Sequence, residues 1–176
     1  MAYSSLEACL TDLEKAGMLR RVSEEVDPYL QMAAIQLRVH EACGPALFFE
    51  KVKGTKFRAT SNIFGTLERS EFIFRHSLKD MQQLIALRND PMQALRNPFK
   101  NISAGLTALK ALPLKNPFSK PVLFEEIKIN QLPLIQHWPK DGGAFVTLPQ
   151  VYSEDAEKPG IMHANLGMYR IQLTGN

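Results

Sequence analysis

The sequence predicts an α+β chain, with an α/β unit over residues 1–115 followed by a β-rich unit over residues 116–176. Three observations carry that expectation. Apolar residues recur at helical spacing in the first part, two runs of strand formers lie among them, and after a proline-rich break the pattern becomes short strands parted by glycine turns.

The opening helix is capped by Ser4 or Ser5, buries Leu6, Cys9, Leu10 and Leu13 at i, i+3, i+4 and i+7, and stops at Gly17. Met18 to Val22 reads as a strand. A second helix is expected from Asp27-Pro28, since aspartate caps free amides and proline tolerates the first helical position. Met32, Ile35 and Val39 form its buried stripe, and it ends near Gly44-Pro45. Ala46 to Val52 and Phe57 to Ile63 follow as a hairpin or as adjacent strands. From Leu67 to Leu112 the period is helical, with Phe72, Leu78, Met81, Ile85 and Leu109 facing inward and Pro91 and Pro98 cutting the run. The prolines between Leu112 and Val122 mark a domain linker. Beyond it, Val122 to Ile129, Phe145 to Val151 and Ile161 to Leu173 are expected strands, turning at Asp141-Gly142-Gly143 and at Lys158-Pro159-Gly160. About three strands bury little surface, so the chain is expected to be the amino-terminal part of a longer protein.

Composition excludes several classes. Of the 176 residues 45% are hydrophobic and 22% charged, which suits a packed core and excludes wholesale disorder. No apolar run approaches membrane-spanning length, and the terminus MAYSSLEACL carries no secretion signal, so a cytoplasmic location is expected. The 21 basic and 18 acidic residues are scattered, giving +3 without a block of one sign, so no nucleic-acid partner is implied. Cys9 and Cys43 lack metal or redox spacing and read as buried, reduced core residues.

The most informative stretch is Asn165-Leu166-Gly167-Met168-Tyr169-Arg170. It offers a neutral oxygen ligand, a glycine that permits close backbone approach, and a permanently charged guanidinium. On an extended strand Asn165 and Arg170 fall on opposite faces, so they share a site only if Gly167 allows a bend or bulge. The alternative is a strand beginning with an asparagine and ending with a solvent-facing arginine.

Leu13 to Gly17, Glu25 to Pro28, Gly44 to Gly54, Asn62 to Thr66, Trp138 to Gly143 and Asn165 to Arg170 resemble, in order, segments of the UbiD family of reversible decarboxylases. The resemblance implies that residues 116–176 are the first strands of an FMN-binding split β-barrel. That barrel binds prenylated FMN with a divalent metal, usually manganese, and potassium. It further implies that Asn165 is a metal ligand, that Met168, Tyr169 and Arg170 contact the flavin, partly through backbone, and that Arg170 sits beside the substrate carboxylate, held between two glutamates. A hard cation suits an oxygen donor, and a planar guanidinium suits a carboxylate. The implied substrate is an aromatic or α,β-unsaturated acid. A flavin prenyltransferase would supply the cofactor, and the full-length protein is expected to be a homo-oligomer.

The family's remaining ligands, a histidine and a glutamate, and its catalytic acid fall beyond residue 176, so the fragment alone is expected to be inactive. His40, His76, His137 and His163 do not occupy the ligand position. His163 could reach a metal only through its carbonyl, and His40 is expected on a helix surface. Glu125 and Glu126 face opposite ways on a strand. Asp141-Gly142-Gly143 lacks the lysine of a phosphate loop and reads as a tight turn, and the Tyr169 ring is expected in the barrel core. Two rivals remain: a non-catalytic flavin-binding or assembly module, and a flavin reductase-like protein needing no catalytic arginine.

Overall fold

The computed structural model describes residues 3–89, 109 and 125–174. Helix α1 spans Leu6–Lys15, with the Ser5 hydroxyl accepting the Ala8 amide at 3.1 Å. It ends where Gly17, at φ 72°, lets the Met18 amide return to the Leu13 carbonyl at 2.8 Å. Strand β1 (Leu19–Val26) leads to α2 (Gln31–Glu41) and then to β2 (Ala46–Val52), which pairs parallel with β1 from Leu19 opposite Ala46 to Val26 opposite Val52. A register shift between Val22 and Glu25 interrupts the ladder. Strand β3 (Ala59–Ser61), shorter than the expected Phe57 to Ile63, returns antiparallel on β2, which gives the hairpin of the two expected arrangements. Helices α3 (Leu67–Phe74) and α4 (Leu78–Asn89) follow.

Successive side chains of β2 point to opposite faces of the sheet. Ala46 and Phe48 join Cys9, Leu13, Leu19 and Ile73 beneath α1 and α3. Leu47 and Phe49 join Val26, Met32 and Val52 beneath α2, and Ile135 packs against that cluster. Phe49 and Leu13 are fully buried, and each such side chain contributes about 1.5–3 kcal/mol of transfer free energy.

One buried charge closes this unit. Arg69 on α3 is 3% exposed and donates Nε to Ile63 O (2.9 Å), Nη1 to Gly44 O (3.0 Å) and Nη2 to Asn62 O (2.7 Å). Burial pushes its pKa down, with nearby Glu68 opposing, yet a guanidinium keeps its proton. Asn62, at φ 57°, donates to Gly44 O and Pro45 O. A β-carbon at Gly65 would lie 1.9 Å from Asn62 Oδ1, so glycine is required for this loop to close.

Several expectations are corrected here. Helix α2 starts at Gln31 rather than Asp27, because Pro28 and Leu30 are bonded to Gln136 in a parallel bridge at Tyr29 (Leu30 N to Gln136 O and Gln136 N to Pro28 O, both 3.1 Å). Asp27 instead accepts the Tyr29 amide in a local turn. Cys9 is buried as expected, but Cys43 is exposed at φ 51° in the turn that leaves α2. Met81, Ile85 and Leu109 are exposed, since nothing among the described residues covers that stripe, while Ile73 on α3 is buried instead. The expected linker, 112–122, lies outside the described residues.

In the second part the chain forms a 3-10 turn at Ile129–Gln131, then β4 (Ala144–Val146), β5 (Gln150–Glu154), a second 3-10 turn at Ile161–His163, β6 (Ala164–Met168) and β7 (Ile171–Leu173). The described part of Val122 to Ile129 is therefore no strand. Phe145 to Val151 breaks at Pro149, which has no amide to place in a ladder. Strand β4 pairs antiparallel with β7, and β5 with β6. Among the described residues this part is tied to the first where Thr55 Oγ1 donates to Gln131 O at 2.5 Å, where Lys56 pairs with Glu125 at 3.6 Å, through the Tyr29–Gln136 bridge beside α2, and through Ile135 on the core.

Removing the guanidinium of Arg69 takes a donor from three carbonyls at once, and Gly44 O and Asn62 O keep only the longer bonds from Asn62 Nδ2 and the Gly65 amide. Arg69→Ala is expected to lower folding stability by about 3 kcal/mol, read as an earlier urea midpoint. A loss below about 1 kcal/mol would show the loops held by other means.

Candidate functional site

On β6 the side chains alternate. Asn165 and Gly167 lie on one face, opposite Ser153 and Val151 of β5, while Leu166 and Met168 lie on the other, opposite Tyr152 and Gln150. Met168 therefore cannot share a face with Asn165 through its side chain. Gly167 sits in register within the ladder rather than at a bend. The chain breaks later, at Tyr169-Arg170, between β6 and β7. Gly167 has another purpose: a β-carbon there would lie 2.6 Å from Tyr169 Cε2 and 2.8 Å from Tyr169 Oη. The tyrosine ring lies over the glycine, and its hydroxyl accepts Asn165 Nδ2 at 3.1 Å. That ring is 50% exposed, so the expectation of a core tyrosine is not met.

Arg170 engages a different set. Its Nη2 donates to Asp141 Oδ2 at 2.7 Å, and its guanidinium carbon stands 3.7 Å from the centre of the Phe145 ring. The aspartate side chain is 14% exposed and the arginine 47%, so the carboxylate anchors while the guanidinium faces out. The pairing of β4 with β7 builds this contact, because Phe145 stands opposite Gln172 and the Gln172 amide donates to Gly142 O at 2.6 Å. Asn165 and Arg170 thus flank one break in the chain, each with its own partners. The bend or bulge expected at Gly167 is absent, and the ladder is interrupted at Tyr169-Arg170 instead.

His137 lies near this pair. Among the described residues its Nδ1 is buried without a partner, and burial pushes its pKa down, with Arg170 adding to the effect and Asp141 partly offsetting it. His163 is exposed, and its carbonyl already accepts the Asp155 amide at 3.1 Å. Glu125 and Glu126 are both exposed, and His40 lies on the surface of α2. Among the described residues no group of three His, Cys, Asp or Glu side chains is placed to hold a metal ion. None of their helices is long and apolar enough to cross a membrane. Asp141, Phe145 and His137 were not singled out from sequence as partners of Arg170. The only local signal was the Asp-Gly-Gly turn.

Known proteins share this outline. Residues 10–88 match the N-terminal domain of 3-octaprenyl-4-hydroxybenzoate carboxy-lyase, and residues 112–176 match its Rift-related domain. An uncharacterised protein of Chlamydia caviae is 40% identical over 98% of this chain and 29% of its own length. A 4-hydroxybenzoate decarboxylase subunit of Chlamydia pneumoniae is 38% identical over 84% of this chain and 25% of its own. The closed form of vanillic acid decarboxylase from Sedimentibacter hydroxybenzoicus superposes with a TM-score of 0.72 at 27% identity, over 99% of this chain and 36% of that one. An evolved dimeric form of the UbiD-class enzyme HmfF from Pelotomaculum thermopropionicum, in complex with prFMN, shares the fold at 23% identity, with a TM-score of 0.69 over 98% of this chain and 36% of that one.

The class of protein is thereby defined as one whose relatives are carboxy-lyases. The chain belongs to the UbiD family. It spans less than a third of the length of these curated relatives.

The half-buried imidazole of His137 makes stability depend on pH. The folded value of His137 lies below its unfolded value of 6.5, so the unfolded chain takes up the proton first as pH falls. Stability is full above the unfolded value and declines as pH drops through it. Urea midpoints at about pH 7.5 and about pH 5.5 should differ, and His137→Phe should narrow the difference. Equal pH dependence in wild type and variant would remove His137 from this role.

Proposed function

We propose that this chain supplies the amino-terminal α/β domain, to about residue 115, and the first strands of the flavin-binding split β-barrel of a prenylated-FMN-dependent decarboxylase. The single observation that carries this reading is the half-exposed guanidinium of Arg170, seated over Phe145 and bonded to Asp141. Among the described residues Asp141 takes one bond and leaves the other N–H groups available to a carboxylate, which a planar fork can take bidentately. We assign Arg170 to the substrate carboxylate of an aromatic or α,β-unsaturated acid.

The donor set at Asn165 fits a divalent cation as one ligand among several. Its Nδ2 is committed to Tyr169, and among the described residues its Oδ1 takes no hydrogen bond, leaving a neutral oxygen of the kind that manganese accepts. The remaining ligands and a potassium ion would be held by residues outside this chain, and we take the fragment alone to be inactive. Met168 and Tyr169 would meet the flavin mainly through backbone, since the Met168 side chain belongs to the opposite face of β6. Bound there, the modified flavin supplies an electron sink for loss of carbon dioxide. The protein's part is orientation: Arg170 fixes the carboxylate, and Asn165 fixes the cation that accompanies the cofactor.

Tyr152, Leu166 and Met168 form an exposed apolar stripe that further barrel strands would cover. The cofactor would come from a flavin prenyltransferase, and the complete protein is proposed to be a cytoplasmic homo-oligomer.

The test uses the polypeptide extended to the length of its relatives and loaded with prenylated FMN. Arg170→Ala should lower kcat for decarboxylation by about 100-fold or more while flavin stays bound. Wild-type turnover would withdraw the arginine from the reaction. Asn165→Ala should reduce manganese content and flavin retention, and unchanged metal occupancy by elemental analysis would rule out the ligand assignment.

A further inference from the structure

The geometry points to Asp141 and Phe145 as a positioning pair for Arg170, additional to the two glutamates that the family resemblance implies, an inference that rests on the reading that Arg170 receives the substrate carboxylate. An arginine side chain has many rotamers, and holding one costs conformational entropy. Two different contacts remove that freedom here. The Phe145 ring sets the plane of the guanidinium from one face at 3.7 Å, and Asp141 sets its direction within that plane at 2.7 Å.

Both partners are themselves held. Asp141 stands in the turn whose amide bonds Trp138 O at 3.0 Å, and the next residue, Gly142, is bonded by Gln172 of β7. Phe145 lies in β4, opposite Gln172, and its amide bonds Ile135 O at 3.0 Å. Ile135 packs on the core beneath α2, so the seat of the arginine is tied to the first domain. Among the described residues nothing bonds Nε or Nη1, so the clamp holds one end of the fork and presents the rest.

The charges also decide what the pair does. Asp141 opposes the arginine's charge at one end, so removing it leaves the guanidinium no less attractive to an incoming carboxylate. Loss of the aspartate should therefore spoil orientation without weakening attraction. In the extended enzyme Asp141→Ala should lower kcat with no rise in KM, and Asp141→Glu should restore part of it, a split that general loosening of the fold would not produce.

The clamp can be read without turnover on the same extended polypeptide, with phenylglyoxal as an arginine-selective probe and peptide mass spectrometry at Arg170. Asp141→Ala and Phe145→Leu should each speed modification of Arg170 by about threefold, the scale of a half-exposed ion pair, with Arg21 and Arg75 unchanged. Should Asp141→Ala fail to fold, Phe145→Leu decides alone. Unchanged Arg170 reactivity in folded variants would overturn the clamp. Faster modification together with an Arg170→Ala enzyme of normal turnover would uphold the clamp and defeat the carboxylate reading instead.

Discussion

Strand β2 must bury both of its faces, and the rest of the structure is arranged to satisfy that demand. Seven residues, ALFFEKV, send Ala46 and Phe48 one way and Leu47 and Phe49 the other, so helices are needed above and below. The parallel partner β1 then requires a crossover, which α2 provides, and the antiparallel β3 covers the remaining edge. Arg69 holds the loops at the end of this sheet by giving their carbonyls donors that water cannot reach. The second part is anchored to the same core through Ile135. A continuous run of packing and backbone bonds thus leads from Phe49 to Phe145 and its arginine.

The site divides by face and by strand. On one face of β6 the amide of Asn165, the bare backbone of Gly167 and the ring of Tyr169 form a polar patch, while Leu166 and Met168 occupy the reverse. Beyond the break, Arg170 belongs with β4 and β7 and their turn. Membership of the UbiD family gives the arrangement a chemical context, since a relative named for its activity is a decarboxylase and a solved neighbour holds prFMN.

Local structure was legible wherever residues close in sequence decide it. The Ser5 cap, the stop at Gly17, the whole of β2 and the hairpin to β3 follow from neighbouring residues and were readable as such. What failed was set from a distance. Helix α2 starts late because Gln136, on the order of a hundred positions further along the chain, holds Pro28 and Leu30. The exposed Cys43 follows from a left-handed turn that residue type does not announce. At the site, the pattern from Asn165 to Arg170 was visible, but the place where the ladder is interrupted depended on which strand pairs with which. Asp141 was read as turn chemistry because its arginine partner lies 29 residues away.

The separate pairing of β6 and β7 also has a mechanical meaning. Two consecutive strands that lean on different neighbours are joined by Tyr169 and Arg170 alone, so these residues work as a joint between the amide patch and the guanidinium. A molecule gripping both sides would act as a splint across it. Part of its binding energy would go into stiffening the protein, and the spacing between the two grips would suit molecules of one reach better than shorter or longer ones.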